Sequence, residues 1–549
     1  MQFTPSFKVN SDILSHVGLG KFGGSGSTWS ASIKKRLGIW LPMCGILFEQ
    51  DQRVIDLDSF RKTLSEINWR GPDNQGVLQA NEHTFLGHCR LSIIDPTSQS
   101  DQPMVSGCGR YTIIFNGEIY NYREIRKNLE LNCRTNSDTE VILEGYVKIG
   151  LKILNYLDGM FAFVIHDRIS DHWICARDPF GIKPLFYSSM NGRTLICSEA
   201  SPIARCFACK ASEYAIQEWH LLRSPVPGYS FFENIYQLLP GYYMTSDLKC
   251  RSYWSWERTM EKFDESELEG LLIDSVRKHE MSDVPVVSLL SGGIDSAIIT
   301  KLSDVKKSYS VGLVDNNEFE GARLSAAESK KSLKEVCTTA NNLVQNWRYL
   351  TRLRGEPLSL PNEGLIYEVC KAMDINEKVV LTGEGADELF FGYDRIFRWA
   401  SGCAELSVQR FLKRYGYSEV NATPRLMDYL KSLSSDKTTI EFVEDFFLQY
   451  HLPNLLRRMD FSAMAASKEA RVPFVTKELV SYMYRQPLDF RLSSNETKVP
   501  LRNICRKLGL IGTLSRRKVG FDARLSRDNG RRDSYSSFQN LVLGELGWL

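Results

Sequence analysis

Cys44 follows Met43 and opens the run Met43-Cys44-Gly45-Ile46. A cysteine attacks as its thiolate, and a thiol of ordinary pKa, about 8.5, needs a base or a positive field to become one. No histidine lies close to it in sequence. The base can be the residue's own α-amine, of pKa about 7.7–8.0, if Cys44 is the first residue of the mature chain. Methionine aminopeptidase removes Met before a small residue such as Cys, so a start at Met43 would expose that amine. Taken alone, Cys44 is more simply one of thirteen cysteines that pack as ordinary thiols.

A second run offers different chemistry. Ser291-Gly292-Gly293-Ile294-Asp295-Ser296 joins an apolar strand-like segment to a helical one. Glycines let backbone approach phosphate oxygens, and N–H groups at a helix N-terminus favour anions. No Lys-Ser/Thr pair follows the glycines, which excludes a Walker A loop. Asp295 would repel a polyphosphate unless a cation such as Mg²⁺ lay between them. Thr382-Gly383-Glu384-Gly385-Ala386-Asp387-Glu388 is a second acidic glycine loop, placed after the strand-like Lys378-Val379-Val380-Leu381.

The elements that must hold these residues are legible from periodicity. MCGILF, YTIIFNGEIYNY, MFAFVIHD, HWICARD and TLICSEA are short apolar or alternating runs, the pattern of packed sheets. EVILEGYVKIGLKILNYL reads as a helix between them, and Glu257 to Glu280 as further helix. VPVVSLL, YSVGL and EKVVLTG are buried-strand candidates alternating with helical segments, which predicts a parallel α/β sheet. The chain from about Arg395 reads as mostly helical. Residues 1–43 are rich in Ser and Gly, hold one acid (Asp12) and a basic cluster at Lys34, Lys35 and Arg36, and keep no period. They predict a disordered leader or a misassigned start; a transit peptide has thin support.

Bulk properties narrow the class. The 549 residues are 43% hydrophobic and 24% charged with a formal net charge of +2, which suits several globular domains and points to neither nucleic acid nor an anionic membrane. No apolar run approaches the ~20 residues that span a bilayer. The odd cysteine count without regular spacing fits thiols in a reducing cytoplasm. The lone CxxC, Cys206 and Cys209, lacks the second pair or histidines of a zinc site.

Four runs follow Cys44 in order: Arg70-Gly71-Pro72-Asp73, Gly87-His88-Cys89-Arg90-Leu91-Ser92, Phe115-Asn116-Gly117-Glu118-Ile119-Tyr120-Asn121 and Ser137-Asp138-Thr139-Glu140. Together they resemble the class II glutamine amidotransferases, whose glutaminase domain is an N-terminal-nucleophile fold, an α+β four-layer arrangement of stacked antiparallel sheets. The resemblance implies that Cys44 is the nucleophile and that Arg90 holds the glutamine carboxylate with its planar fork. It gives Glu118 and Asp138 the α-ammonium, and the Asn116 amide and Gly117 N–H the oxyanion. Each has a plainer reading, such as Asp138 capping a helix or Asn116-Gly117 turning a hairpin; the ordered set outweighs these.

Farther on, SGGIDS resembles the loop of ATP pyrophosphatases. With Thr382–Glu388, Glu469-Ala470-Arg471-Val472-Pro473-Phe474, Glu496-Thr497-Lys498 and Arg517-Lys518-Val519-Gly520-Phe521 in order, the C-terminal half resembles the synthetase domain of asparagine synthetases. The resemblance implies that Leu290, Ser291, Gly292, Gly293, Ser296, Val311, Thr382 and Gly383 surround ATP. Asp295 and Asp387 would hold Mg²⁺ on the pyrophosphate. Glu384 would assist formation of a β-aspartyl-AMP and Lys498 would neutralise charge on the phosphates. It further implies glutamine, aspartate and ATP as substrates, an ammonia tunnel, a cytoplasmic enzyme and, as is usual in the family, a homodimer. The expected division is 44–248 for the amidotransferase domain and 249–549 for an α/β adenylating domain with a helical C-terminal part.

Three positions depart from the usual pattern: Phe48, Ala297 and Phe391. The Gly355–Asn362 segment, expected to face the acceptor, leaves a second acceptor open, such as a sugar uronic acid. A glutaminase-dead relative, with residues 1–43 blocking Cys44, is a further alternative.

Overall fold

The structure, a computed structural model, describes residues 44–71, 74–90, 93–95, 98–259, 261–493, 495–516 and 531–548. The expectations for residues 1–43, Pro72-Asp73, Leu91-Ser92 and Arg517–Phe521 lie outside the described residues.

Twelve strands build the first half: β1 (Gly45–Asp51), β2 (Asn74–Asn81), β3 (Thr84–Arg90), β4 (Met104–Val105), β5 (Tyr111–Ile119), β6 (Gly159–Asp167), β7 (Trp173–Arg177), β8 (Phe186–Met190), β9 (Arg193–Cys197), β10 (Tyr236–Gln237), β11 (Tyr242–Thr245) and β12 (Cys250–Ser252). They form two six-stranded antiparallel sheets, in the orders β10-β8-β9-β1-β3-β2 and β12-β11-β7-β6-β5-β4. Side chains alternate across a strand, and here the alternation sorts them between cores. Ile46, Phe48 and Leu86 from one sheet meet Ile114, Ala162 and Val164 from the other in a shared core. Leu47 and Phe85 point the opposite way, onto Phe60 and Leu64 of the helix Leu57–Ser65 and Ile203 of the helix Ala200–Phe207. Ile113, Phe115 and Phe163 turn outward onto Val141 and Ile142 of the helix Asp138–Ile149. The result is four layers, helix–sheet–sheet–helix. Phe48 fills the space between the sheets, against Trp173 at 5.6 Å.

Two expectations are corrected here. The long helix read over EVILEGYVKIGLKILNYL ends at Ile149, because Gly150 adopts φ +61° and closes it, and a short turn, Ile153–Tyr156, follows. The helix read over Glu257 to Glu280 begins only at Glu265, where Asp264 caps it, and ends at His279.

The second half holds a five-stranded parallel sheet: β13 (Val286–Leu289), β14 (Lys307–Leu313), β15 (Ser332–Thr338), β16 (Val379–Leu381) and β17 (Glu469–Arg471), ordered β15-β14-β13-β16-β17. The chain winds outward from β13 to β14 and β15, then returns to β16 on the opposite side. The order therefore reverses between β13 and β16, and the crevice at their carboxyl ends is the ligand position of such sheets. β15 was not foreseen, being half exposed and rich in charge. Neither was β17, a three-residue strand embedded in helical sequence. Helices from Ala386 to Ala465 separate β16 from β17 and form the helical part. Phe391 sits buried there, stacked on Phe397 at 4.1 Å. Ala297 is buried in the helix Ile294–Leu302.

Candidate active site

Cys44 stands half-buried where β1 begins, in a partly open cleft of about 490 Å³. Arg90, Asn116, Gly117, Glu118 and Asp138 line the same cleft. β1 is central in its sheet, held by β3 and β9, so the residue ahead of it is fixed in position. The Arg70 guanidinium donates to the Cys44 carbonyl at 3.2 Å. β5 carries the Asn116-Gly117-Glu118 run into the cleft. Gly117 has φ +153°, and a Cβ there would lie 2.0 Å from the Met160 carbonyl on β6, so only glycine lets the strands pair at this point.

The polar atoms buried at this site without a hydrogen-bond partner among the described residues include Nδ2 of Asn116 and Oε1 of Glu118. Such atoms are expensive to leave unmet, and both belong to residues lining the cleft. A donor amide and a carboxylate oxygen are what an oxyanion and an ammonium require. Burial pushes the Asp138 carboxyl up to about 6, against N–H bonds from Ile119 and Thr139. The cap of the helix is Ser137, not Asp138. Burial, with the neighbouring Asp138 charge, carries Glu118 well above the usual carboxylate range, and Arg471 opposes this. An incoming ammonium favours the charged form of both. Arg90 donates to Asp101 at 2.5 Å and to the Asp95 carbonyl at 2.6 Å, which orients its fork.

The second site lies at the reversal point of the parallel sheet. The Ser291–Ser296 loop leaves β13 and the Thr382–Glu388 loop leaves its neighbour β16. They touch: a Cβ on Gly383 would lie 2.8 Å from the Ser296 nitrogen. The first loop is tied by Ser296 Oγ, which accepts from the Ser291 N–H at 3.1 Å. Leu290 is buried and its N–H reaches the Tyr309 carbonyl on β14, the strand that also carries Val311. Lys498 Nζ lies 2.6 Å from Asp295 Oδ1 and 2.5 Å from Asp387 Oδ1. The two carboxylates thus converge on one cation position. A divalent ion fits that position as to charge and donor type, with its remaining ligands left to phosphate oxygens. Glu384 is paired with Arg458 at 2.7 Å, and Arg458 also donates to Asn362 Oδ1 at 3.2 Å, joining the expected acceptor segment to this loop. The CxxC cysteines stand apart from both sites, Cys206 beside Thr63, and all thirteen cysteines are thiols.

Sequence reasoning missed the residues between the halves. Arg70, Glu199 and Lys183 of the first half meet Asp460, Glu469 and Arg471 of the second in a buried ionic ladder. Arg70 pairs with Glu199 and, at 2.8 Å, with Asp460. Lys183 reaches Asp460 at 2.9 Å and Glu469 at 3.8 Å. Arg471 joins Glu469 at 2.8 Å and Glu118 at 3.1 Å. Single charged residues scattered over about four hundred positions carry no periodic signal that could have paired them.

A thiol cleft on stacked antiparallel sheets, joined to a glycine-loop crevice in a parallel sheet, defines a two-site enzyme of the glutamine amidotransferase class. The comparisons agree half by half. Residues 43–254 match the family described as Glutamine amidotransferase domain, and residues 267–536 match Asparagine synthase. The chain is 30% identical to asparagine synthetase [glutamine-hydrolyzing] 1 of Bacillus subtilis, with 87% of each chain covered. It is 28% identical to asparagine synthetase [glutamine-hydrolyzing] 3 of the same organism, over 84% of each. The chain belongs to the glutamine-hydrolysing asparagine synthetase family.

Proposed function

We propose that this chain makes asparagine from aspartate, using ATP and the amide nitrogen of glutamine. What carries the reading is one continuous likeness, 87% of the chain to a relative named for that activity, laid over two sites with the matching chemistry. The division into an amidotransferase part from Cys44 and a synthetase part is supported by the two family matches, with the boundary taken after Ser252 because β12 pairs with β11.

With Cys44 as residue one, its α-amine takes the thiol proton and the thiolate attacks the glutamine amide carbon. Arg90 orients the carboxylate, while Glu118 and Asp138 hold the ammonium. Asn116 Nδ2 and the Gly117 N–H receive the oxyanion. Ammonia leaves with the proton returned by the amine, and water later hydrolyses the thioester to glutamate. Released ammonia at neutral pH is mostly protonated, so a closed path to the second site preserves the nucleophile. There the loops Ser291–Ser296 and Thr382–Gly383, with Leu290 and Val311, hold ATP. The β-carboxylate of aspartate attacks the α-phosphorus and pyrophosphate leaves. Ammonia then attacks the acyl carbon and AMP departs.

Asp295 and Asp387 would hold Mg²⁺, which would neutralise charge on the pyrophosphate. Lys498, freed from those carboxylates, has the reach of a flexible stem to serve the same oxygens. Glu384, oriented by its ion pair with Arg458, faces acceptor activation. The thirteen thiols favour a cytoplasmic location. No helix of the described residues is long and apolar enough to cross a membrane.

The deciding assay supplies glutamine, ATP and Mg²⁺ with aspartate, and separately with uronate sugars, and measures AMP, pyrophosphate and amide product. Asparagine with equimolar AMP is expected. Turnover with uronates and none with aspartate would reject the acceptor.

A further inference from the structure

The cleft that holds the glutamine residues is not lined by the first half alone. Glu469, from strand β17 of the parallel sheet, lines it beside Asn116 and Asp138. Two residues along the same strand and so on the same face, Arg471 grips Glu118 Oε2 at 3.1 Å and Glu469 Oε1 at 2.8 Å. All three side chains are at least nine-tenths buried. The other oxygen of Glu118, Oε1, has no hydrogen-bond partner among the described residues.

Charge in this buried ladder does not balance. Its cations are Arg70, Lys183 and Arg471, three in number, and its carboxylates are Glu118, Glu199, Asp460 and Glu469, four. Asp138, buried alongside, adds a fifth carboxylate; Arg90, the further cation lining the cleft, is engaged by Asp101. A buried carboxylate in excess is costly until a cation meets it. The surplus lies at the cleft end, where Glu469 and Asp138 line the same cleft as Glu118 and its orphaned oxygen, because Asp460 and Glu199 are matched by Lys183 and Arg70. The cation expected there is the α-ammonium of the substrate.

We propose that strand β17 of the synthetase domain completes the glutamine site: Glu469 is a third carboxylate for the substrate ammonium, and Arg471 is a positioning residue that aims Glu118 at it. This rests on the reading of the cleft as a glutamine site. It also gives the two sites a shared part. β17 pairs with β16 from Val379↔Glu469 to Leu381↔Arg471, and the Arg471 carbonyl accepts from the Thr382 N–H at 2.9 Å. The strand whose side chains enter the glutamine cleft therefore pins, through its backbone, the loop that lines the nucleotide site.

The test compares the purified full chain processed to Cys44 with its Glu469→Gln, Arg471→Lys and Arg471→Met variants. Each is assayed for hydrolysis of glutamine and of glutaramate, which keeps the amide and the carboxylate and lacks the α-ammonium. Ammonia-dependent synthesis from the same preparation reports whether the variant has folded. For Glu469→Gln the preference for glutamine over glutaramate in kcat/KM should fall at least tenfold, mostly through the glutamine KM, with kcat changed less than threefold. Arg471→Lys should keep more of that preference than Arg471→Met, since it retains a charge toward Glu118. A Glu469→Gln enzyme with the parent's preference intact overturns the proposal. A parent that hydrolyses no glutamine overturns instead the reading on which it rests.

Discussion

At the residue scale, the proposed ammonium-binding role of Asp138 predicts a pH limit on the glutamine half-reaction. Its carboxyl is held up to about 6 by burial, so it is charged above that pH and neutral below. An ammonium gains from the charged form alone. As pH falls through about 6 the attraction is lost, and the glutamine KM should rise by on the order of tenfold per unit below it. Asp138→Asn should give a KM that is high and lacks the rise as pH falls through about 6. Initial rates of glutamate release between pH 5 and 8 measure this; a parent KM that stays constant to pH 5 would remove Asp138 from ammonium recognition. The folding linkage has the opposite sign. A carboxyl whose folded value lies above the unfolded 3.8 binds protons more tightly when folded, so its burial penalty is fully present above about 6 and is relieved as pH falls toward 3.8. A lower glutamine affinity in mild acid is thus not a symptom of unfolding at this residue.

At the element scale, what was legible in the sequence were the parts with local signals. β1, β5, β6, β7 and β9 announced themselves by short apolar or alternating runs, and β13, β14 and β16 by short apolar runs between helical segments. The two glycine loops were placed correctly because strand, loop and helix are consecutive in sequence. β17 was invisible. Its three residues, Glu-Ala-Arg, have no strand propensity worth the name, and they form a strand only because β16 offers an open edge and Lys183 and Glu118 offer partners for the two charged side chains. Tertiary context decided that element, and so the contribution of Glu469 and Arg471 to the first cleft could not be read ahead of the fold. The strand pair that was readable, β5 with β6, supplies a sharper check. Gly117→Ala sets a Cβ 2.0 Å from the Met160 carbonyl, at backbone, which cannot turn aside as a side chain can. The pairing must open locally at a cost of about 3 kcal/mol. It should lower the urea midpoint of the amidotransferase domain and abolish glutamine hydrolysis, because the displaced N–H no longer faces the oxyanion. Full glutaminase activity in that variant would remove Gly117 from the site.

At the scale of the whole molecule, the proposed chemistry of Cys44 depends on where the mature chain begins. No histidine is among the described residues that line its cleft, and the base proposed for the thiol is the α-amine of residue 44 itself. An amide-linked Cys44 has no titratable nitrogen there. Two forms of the protein should therefore behave differently. The form that begins at Cys44 hydrolyses glutamine and synthesises product from either nitrogen source. The form that carries residues 1–43 should show glutaminase activity lower by at least about a hundredfold, the order of a lost general base, while ammonia-dependent synthesis continues, since the Ser291–Ser296 and Thr382–Glu388 loops do not depend on that amine. Intact-mass measurement on each preparation, paired with both assays, decides the matter. Efficient glutamine hydrolysis by a chain whose measured mass includes residues 1–43 would show that another group takes the proton. The buried ladder from Glu118 through Arg471, Glu469, Lys183 and Asp460 to Arg70 predicts that, in either form, the two halves remain docked. Processing at Cys44 then acts on chemistry and not on assembly: it switches the nitrogen source while leaving the synthetase site intact.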